Sequence, residues 1–404
     1  IQQDNTQAYL DANGWTNVSW EDADDRPFRE AIAEVDFVDG NTIHLKHQIA
    51  YDMDAGLAEV FALDTLSGVS LSDFTITYDL GPPPNPYDFE NTLPAYSGLA
   101  AVYLNGTAGA SLSGISILDA ASHGFDIRTS IDATADDLYV SGAYNKGSSG
   151  NGYGVQIYET FHSDFTNLEL FDTRHAFLFS SWHAEAYNTV HIADTNRDVN
   201  FHGSPDTSNV VTVDNAILDY DPSQNTGPTN GYWAIVSPGG TTHPATDIYG
   251  ENTVKFVHAE GYDKGEEIYG DDAGSYLNGK EGQDTIIGGT GNDTLVGGGN
   301  KDTLTGDTGA DTFVFFLGTN YDRITDFDPL GDGDTIVFAG NAAVDSFEDL
   351  TITQDGADTN VRFGSNSTVI LEGYDAATLT DAGMIFDPTG DTWAPIYFGS
   401  DFIV

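Results

Sequence analysis

An all-β protein made of two solenoids in series is what this sequence predicts, a right-handed parallel β-helix followed by a narrower parallel β-roll with a C-terminal β cap. Three observations carry the prediction. Apolar positions recur every twenty-odd residues through the first 260 residues, a nine-residue glycine-rich unit repeats in phase near residue 280, and the intervening segments alternate apolar and polar residues with period two.

Composition bounds the partners. With 404 residues and 39% hydrophobic content the chain can build a core, while 64 acidic against 13 basic residues give a formal charge of −51. That charge excludes nucleic acid, whose phosphates need a basic footprint. It also makes the folded chain repel itself unless cations, divalent ones above all, neutralise it. Without any cysteine there is neither a disulfide nor a thiolate metal site, and without a run of 18 apolar residues no membrane insertion is expected.

Taken in order, the first element is "DDRPFREAIAEV", whose spacing predicts a helical cap at about residues 22–36, with "NTIHLKHQIAYDM" following as strands. A solenoid must cover its first coil, and this pair suits that task. Next, "SGISILDA", "DDLYVSGA", "TNLELFDT", "NTVHIADT" and "NVVTVDNA" place Ile115, Leu138, Leu168, Val190 and Val211 in one column at steps of 23, 30, 22 and 21. A second column interleaves with them at "HGFDIR", "YGVQIY", "HAFLFS" and "VNFHGS". Two columns sharing one coil length predict a parallel β-helix.

Aligning the second column puts Phe125, Val155, Phe177 and Phe201 inward, then Ile127, Ile157, Phe179 and Gly203. Outward stand Asp126, Gln156, Leu178 and His202 in one row and Arg128, Tyr158, Ser180 and Ser204 in the next. Neighbouring rungs lie about 4.8 Å apart, so these side chains form one patch with an acid, a guanidinium, a phenol and an imidazole. His123, Tyr153, Arg174 and His175 come at the mouth of the same strands, with Trp182 and His183 just beyond. His123, His162, His175, His183, His191 and His202 are six of the ten histidines, all within 80 residues, and such clustering on one face predicts an active site.

The roll is read from "GKEGQDTII", "GGTGNDTLV", "GGGNKDTLT" and "GDTGADTFV", with Asp284, Asp293, Asp302 and Asp311 nine residues apart. Each GGxGxD turn supplies backbone and carboxylate oxygens, which predicts bound Ca2+ at these aspartates with Gly279, Gly282, Gly288, Gly291, Gly297 and Gly306 shaping the turns. Ile286, Leu295, Leu304 and Phe313 fill the core position, and "GDDAGSYLN", with Ser275 in the Asp place, is a degenerate first copy. The expected domains are 1–262 for the β-helix and 263–404 for the roll and its cap.

The repeats resemble the repeats-in-toxin (RTX) modules of bacterial proteins exported by type I secretion. The segment "ADTFVFFLGTNYDRITDFDPLGDGDTIVF" resembles the β-sandwich-like cap of such rolls, and the terminal "DFIV" resembles their export signal. The resemblance implies an extracellular protein, a monomer, that meets type I secretion machinery.

"SHGFDIRTSID", "NGYGVQIYETFHSDF" and "DTRHAFLFSSWHAEAYNTVHIAD" resemble the catalytic β-helix module of bacterial mannuronan C-5 epimerases and related alginate-active lyases, and the N-terminal pair resembles the opening of pectate-lyase-type enzymes. The family motif YGFDPH carries catalytic Tyr, Asp and His, and a later DRHGF lines the site. Asp126 matches the family Asp, and Arg174 and His175 match the later Arg and His. His123 stands in place of the Tyr, Arg128 in place of the His, and Tyr158 in place of a further acid.

These departures count against mannuronan epimerisation and keep the ingredients of uronate chemistry. Removing the C5 proton of a uronate needs a cation for the adjacent carboxylate, a base, and for elimination an acid for the departing O4. Arg128 and Arg174 suit the first task, His175 or His123 the second and Tyr158 the third, while Asp126 orients an imidazole or binds a cation or a substrate hydroxyl. Gln156, Trp182, His183 and His202 are the expected substrate contacts. A lyase acting on an acidic polysaccharide is the first reading and C-5 epimerisation the second. A glycoside hydrolase is the third, since it needs two carboxylates about 5–5.5 or 6.5–9.5 Å apart and Asp126 has only Glu159 or Asp206 near strand ends as partners.

Overall fold

The computed structural model describes residues 1–4, 27–217, 234–236, 241–242 and 252–392, apart from 55, 83, 87–88, 148–149, 181–182, 202–205, 263–264, 319–320 and 391. Their regular structure is nearly all strand, with no α-helix among them. They divide into two compact units, one running to Thr212 and taking in 234–236, 241–242 and 252–254, the other starting at Lys255 and taking in 213–217.

The first unit is a parallel β-helix. One sheet stacks Ala100–Asn105, His123–Ile131, Tyr153–Phe161, His175–Phe179 and Val199–Phe201 in parallel. The other stacks Ser70–Thr77, Ser111–Ala120, Thr134–Ala143, Asp164–Phe171 and Thr189–Thr195. Alternation aims Phe125, Ile127, Val155, Ile157, Phe177 and Phe179 at Ile115, Ile117, Leu138, Val140, Leu168 and Leu170, and all are buried. Each such side chain contributes about 1.5–3 kcal/mol by leaving water. Rings continue from rung to rung, with Phe179 and Phe201 stacked at 4.3 Å.

Coil corners need acceptors for backbone N–H groups that neither sheet pairs. Each corner turns through a left-handed residue, Asp132, His162, Tyr187 and Ser208, at φ of 56°, 51°, 58° and 57°. A polar ladder follows, in which Ala133 N–H donates to Ser163 Oγ, Ser163 N–H to Asn188 Oδ1, Asn188 N–H to Asn209 Oδ1 and Asn209 N–H to Asn252 Oδ1, at 3.0–3.1 Å.

Three expectations are corrected. The helical cap is not formed from residue 27 onward: Pro27–Glu30 is a strand paired antiparallel with Gln2–Asp4, and Val35–Asp39 makes a hairpin with Thr42–Leu45. Residues 22–26 lie outside the described residues. A helix of a dozen residues is marginal alone, whereas pairing satisfies the same backbone groups and lets the buried Arg29 donate to the Asp52 carbonyl at 2.8 Å. In the first sheet Val199 faces Phe177 and Phe201 faces Phe179, so Asn200, not His202, continues the Asp126 row. In the second, Ile192 rather than Val190 faces Leu168. Both slips are of two residues, which preserve the inward and outward alternation and are invisible to it.

The second unit is the roll. Ile268, Ile286, Leu304, Ile324 and Leu371 align on one side and Leu277, Leu295, Phe313, Ile336 and Met384 on the other. Its cap is an antiparallel meander of Thr351–Asp355, Asp358–Arg362 and Thr368–Leu371 beside continuing parallel strands. The "DFIV" end lies outside the described residues.

Candidate active site and calcium sites

The roll aspartates form two stacks. Asp284 Oδ1 accepts Glu266 N–H at 2.7 Å and Asp302 Oδ1 accepts Asp284 N–H at 2.9 Å; on the other side Asp293 Oδ1 accepts Ser275 N–H at 2.6 Å and Asp311 Oδ1 accepts Asp293 N–H at 2.9 Å. The second oxygen of each of these four aspartates is buried without a hydrogen-bond partner. A Cβ at Gly279, Gly288, Gly297 or Gly306 would run into that oxygen, and one at Gly291 into the backbone of Gly274. Gly282 has φ of 151°. Burial pushes Asp284 and Asp311 up to about 7 and Asp302 to about 8, and raises Asp293 as well. Orphaned carboxylate oxygens in glycine-lined turns fit a hard, oxygen-seeking cation.

On the β-helix the strand register makes Tyr103, Asp126, Gln156, Leu178 and Asn200 one outward row and Asn105, Arg128 and Tyr158 the next. Asp126 is only 1% exposed, so the carboxylate expected at the surface is buried. Arg128 covers it through two bonds, Nε to Oδ1 at 2.8 Å and Nη2 to Oδ2 at 2.7 Å. The guanidinium lies between Tyr103 and Tyr158, 5.6 and 5.2 Å from the ring centres, and this aromatic sandwich fixes it. Gln156 Nε2 donates to Ser180 Oγ at 3.3 Å.

Tyr158 packs on His183 with ring centres 4.3 Å apart. His183 Nδ1 lies 2.8 Å from Glu30 Oε2 and 2.6 Å from Glu159 Oε1. Burial would lower His183, but the bonds to Glu159 and Glu30 outweigh it and raise it to about 9. Burial raises Glu30 above the usual carboxylate range, whereas for Glu159 it is outweighed by the His183 and Thr129 bonds, which lower it. Burial beside Glu159 and Glu30 pushes Tyr158 up to about 12. Glu30 and Glu159 also line a groove of about 840 Å³ whose other walls include Val35, Ile43, Phe61 and Leu63. Behind them Glu159 N–H donates to Glu185 Oε1 at 3.0 Å and Glu185 N–H to Asp206 Oδ1 at 3.1 Å.

Of the six histidines grouped in sequence, the five that are described do not form one cluster. His123 and His175, each 2% exposed, stack on either side of Tyr153 at 4.8 and 5.6 Å, and His175 Nδ1 meets Asp198 at 2.8 Å. Tyr153 N–H donates to His123 Nδ1, and burial lowers His123 to about 4. Both rings are buried and share the inward parity of Phe125 and Phe177. Arg174 Nη1 donates to the Gly147 carbonyl at 3.0 Å. His162 stacks between His47 and Tyr187 at a coil corner, and His191 accepts Asn167 N–H from the second sheet. Trp182 and His202 lie outside the described residues.

Of the expected site, then, Asp126, Arg128, Tyr158 and His183 come together. Sequence reasoning missed Tyr103, Glu30, Glu185 and Asp198. Coil arithmetic reaches two of them, since Tyr103 precedes Asp126 by 23 residues and Asp198 follows His175 by 23, one coil step each. Glu30 belongs to no coil and leaves no such signal.

Residues 278–313 match the RTX calcium-binding nonapeptide repeat in four copies, and these repeats bind calcium. No curated protein matches the chain. Among solved structures the chain is similar to the AlgE6R3 subunit of the mannuronan C5-epimerase from Azotobacter vinelandii, at 32% identity, covering 30% of this chain and 78% of that one, with a TM-score of 0.25. It is also similar to the extracellular lipase LipA from Serratia marcescens, at 15% identity, covering 70% of this chain and 42% of that one, with a TM-score of 0.28.

Proposed function

We propose that the chain is a secreted, calcium-dependent enzyme that cleaves a uronate-containing polysaccharide by β-elimination on the outer face of its β-helix. The observation that carries the reading is Arg128, clamped by Tyr103, Tyr158 and Asp126 on that face with a third of its side chain exposed. Its Nη1 lies outside the fork on Asp126 and is the group that meets a uronate carboxylate, the neutralisation that makes the C5 proton removable. Tyr158, protonated throughout the neutral range, delivers the proton to O4. The C5 proton passes to solvent hydroxide at the exposed face, because His123 and His175 are buried.

In this reading residues 1–262 carry the chemistry, and residues 263–404 bind calcium and carry the features of type I export. The RTX repeats are typical of secreted proteins, and among the described residues no helix is long and apolar enough to cross a membrane.

A second reading, glycoside hydrolysis, is supported by Glu30 and Glu159, whose oxygens lie within 4.8 Å of each other and whose acidities are pushed apart, one up and one down. Incubation with a panel of acidic polysaccharides, followed by ultraviolet absorbance and proton NMR, decides. Unsaturated uronate ends support elimination, and changed C5 stereochemistry in intact chains means epimerisation, which shares the abstraction step. New saturated reducing ends mean hydrolysis, and unchanged polymers across the panel overturn the proposal.

A further inference from the structure

We propose that the β-helix unit holds a divalent first-row metal ion, of the zinc or manganese type, on Glu30, Glu159 and His183, separate from the calcium of the roll. The three donor atoms, one imidazole nitrogen and two carboxylate oxygens, lie within 4.8 Å of one another. Ligands at about 2.0–2.2 Å from a metal stand at most about 4.4 Å apart, so the trio closes on an ion with little movement. A mixed nitrogen and oxygen set suits zinc or manganese better than calcium.

A second observation points the same way. Glu185 is fully buried, its Oε1 is bonded to the backbone N–H of Glu159, and its Oε2 has no hydrogen-bond partner. Asp206, on the next rung, repeats the pattern through Glu185 N–H and an orphaned Oδ2. The roll aspartates show the same signature, one oxygen on the neighbouring rung's N–H and the other buried and orphaned. Glu185 and Asp206 also face each other side chain to side chain, so a shared proton meets part of the cost of these orphaned oxygens, and a cation beside Glu159 offsets the rest. Glu30 and Glu159 line the groove, so an ion there with three protein ligands faces the groove with a coordination position to spare.

The inference does not rest on the elimination reading, and it excludes the hydrolytic one, which needs both carboxylates for the sugar. The test titrates Zn2+ calorimetrically into the full chain in millimolar calcium, which keeps the roll loaded. We expect one zinc site whose affinity falls at least about 100-fold in Glu30→Gln and His183→Ala and about 10-fold or more in Glu185→Gln. Circular dichroism checks that each variant is folded, and Glu30→Gln, the near-isosteric change, serves if His183→Ala is not. Zinc-edge absorption should show a single imidazole among oxygen ligands. Equal binding in wild type and Glu30→Gln overturns the proposal, as does loss of binding in His162→Asn, which would place the zinc on the His47 and His162 corner.

Discussion

Arg128 and Asp126 act as one unit, and the two halves of that unit predict different losses. Arg128→Ala removes the group offered to the substrate carboxylate and should lower turnover on the order of 100-fold or more. It also strands a buried carboxylate, which costs stability. Adding Asp126→Asn should return the melting temperature toward wild type without returning activity; recovery of both would make Arg128 a purely structural partner. Tyr158→Phe deletes one hydroxyl and should abolish chain cleavage with the fold unchanged. His123 offers a pH signature. Burial holds it neutral down to about 4, below its unfolded value, so between pH 6.5 and 4 the unfolded chain binds more protons and stability falls with acidification. The 2.5-unit gap corresponds to roughly 3 kcal/mol. The difference in melting temperature between wild type and His123→Gln should therefore change across this window and stay constant above it.

Each strand of the β-helix is held by its inward row and by the ladder at its corner. Asn209 accepts a backbone N–H and donates to both the Asn252 side chain and the Glu185 carbonyl, all buried. Asn209→Ala should cost about 1–3 kcal/mol, the scale of an unsatisfied buried polar group, measured by denaturant unfolding of the calcium-loaded chain. In the roll the sensitive elements are the glycines that face carboxylates. Gly297→Ala sets a methyl group against Asp302 and should weaken calcium binding, whereas Ala at Gly356, where no atom lies within 4 Å of the added carbon, should leave it unchanged.

At the scale of the whole molecule a charge of −51 is tolerable only with cations in place. Chelation should destabilise the roll, and excess calcium should raise its melting temperature by mass action. The pH dependence of the two states should differ. Without calcium, Asp284, Asp302 and Asp311 are raised to about 7, 8 and 7, so the folded roll binds more protons than the unfolded chain and loses stability as pH rises from 4 through 8. With calcium the aspartates are ionised in the folded state, so stability rises with pH only while the unfolded chain's carboxylates titrate, at about pH 4, and is level above about pH 5. Identical pH profiles with chelator and with calcium would contradict this account.

The sequence by itself determined the two solenoids, because period carries architecture: a nine-residue unit in phase leaves no other way to bury Ile286, Leu295, Leu304 and Phe313, and rungs repeating every twenty-odd residues stack the columns of the β-helix. It determined calcium binding by the repeats for the same reason, since their spacing and their chemistry are one pattern. Only the tertiary structure decided the register to within two residues, which alternation cannot see, and with it the replacement of His202 by Asn200. It alone decided that His123 and His175 are buried, because a residue at the start of a strand shares the parity of the core whatever its polarity. And it alone brought Glu30, from a strand outside the coils, against His183 and Glu159, 153 and 129 positions away, a contact that no local pattern encodes.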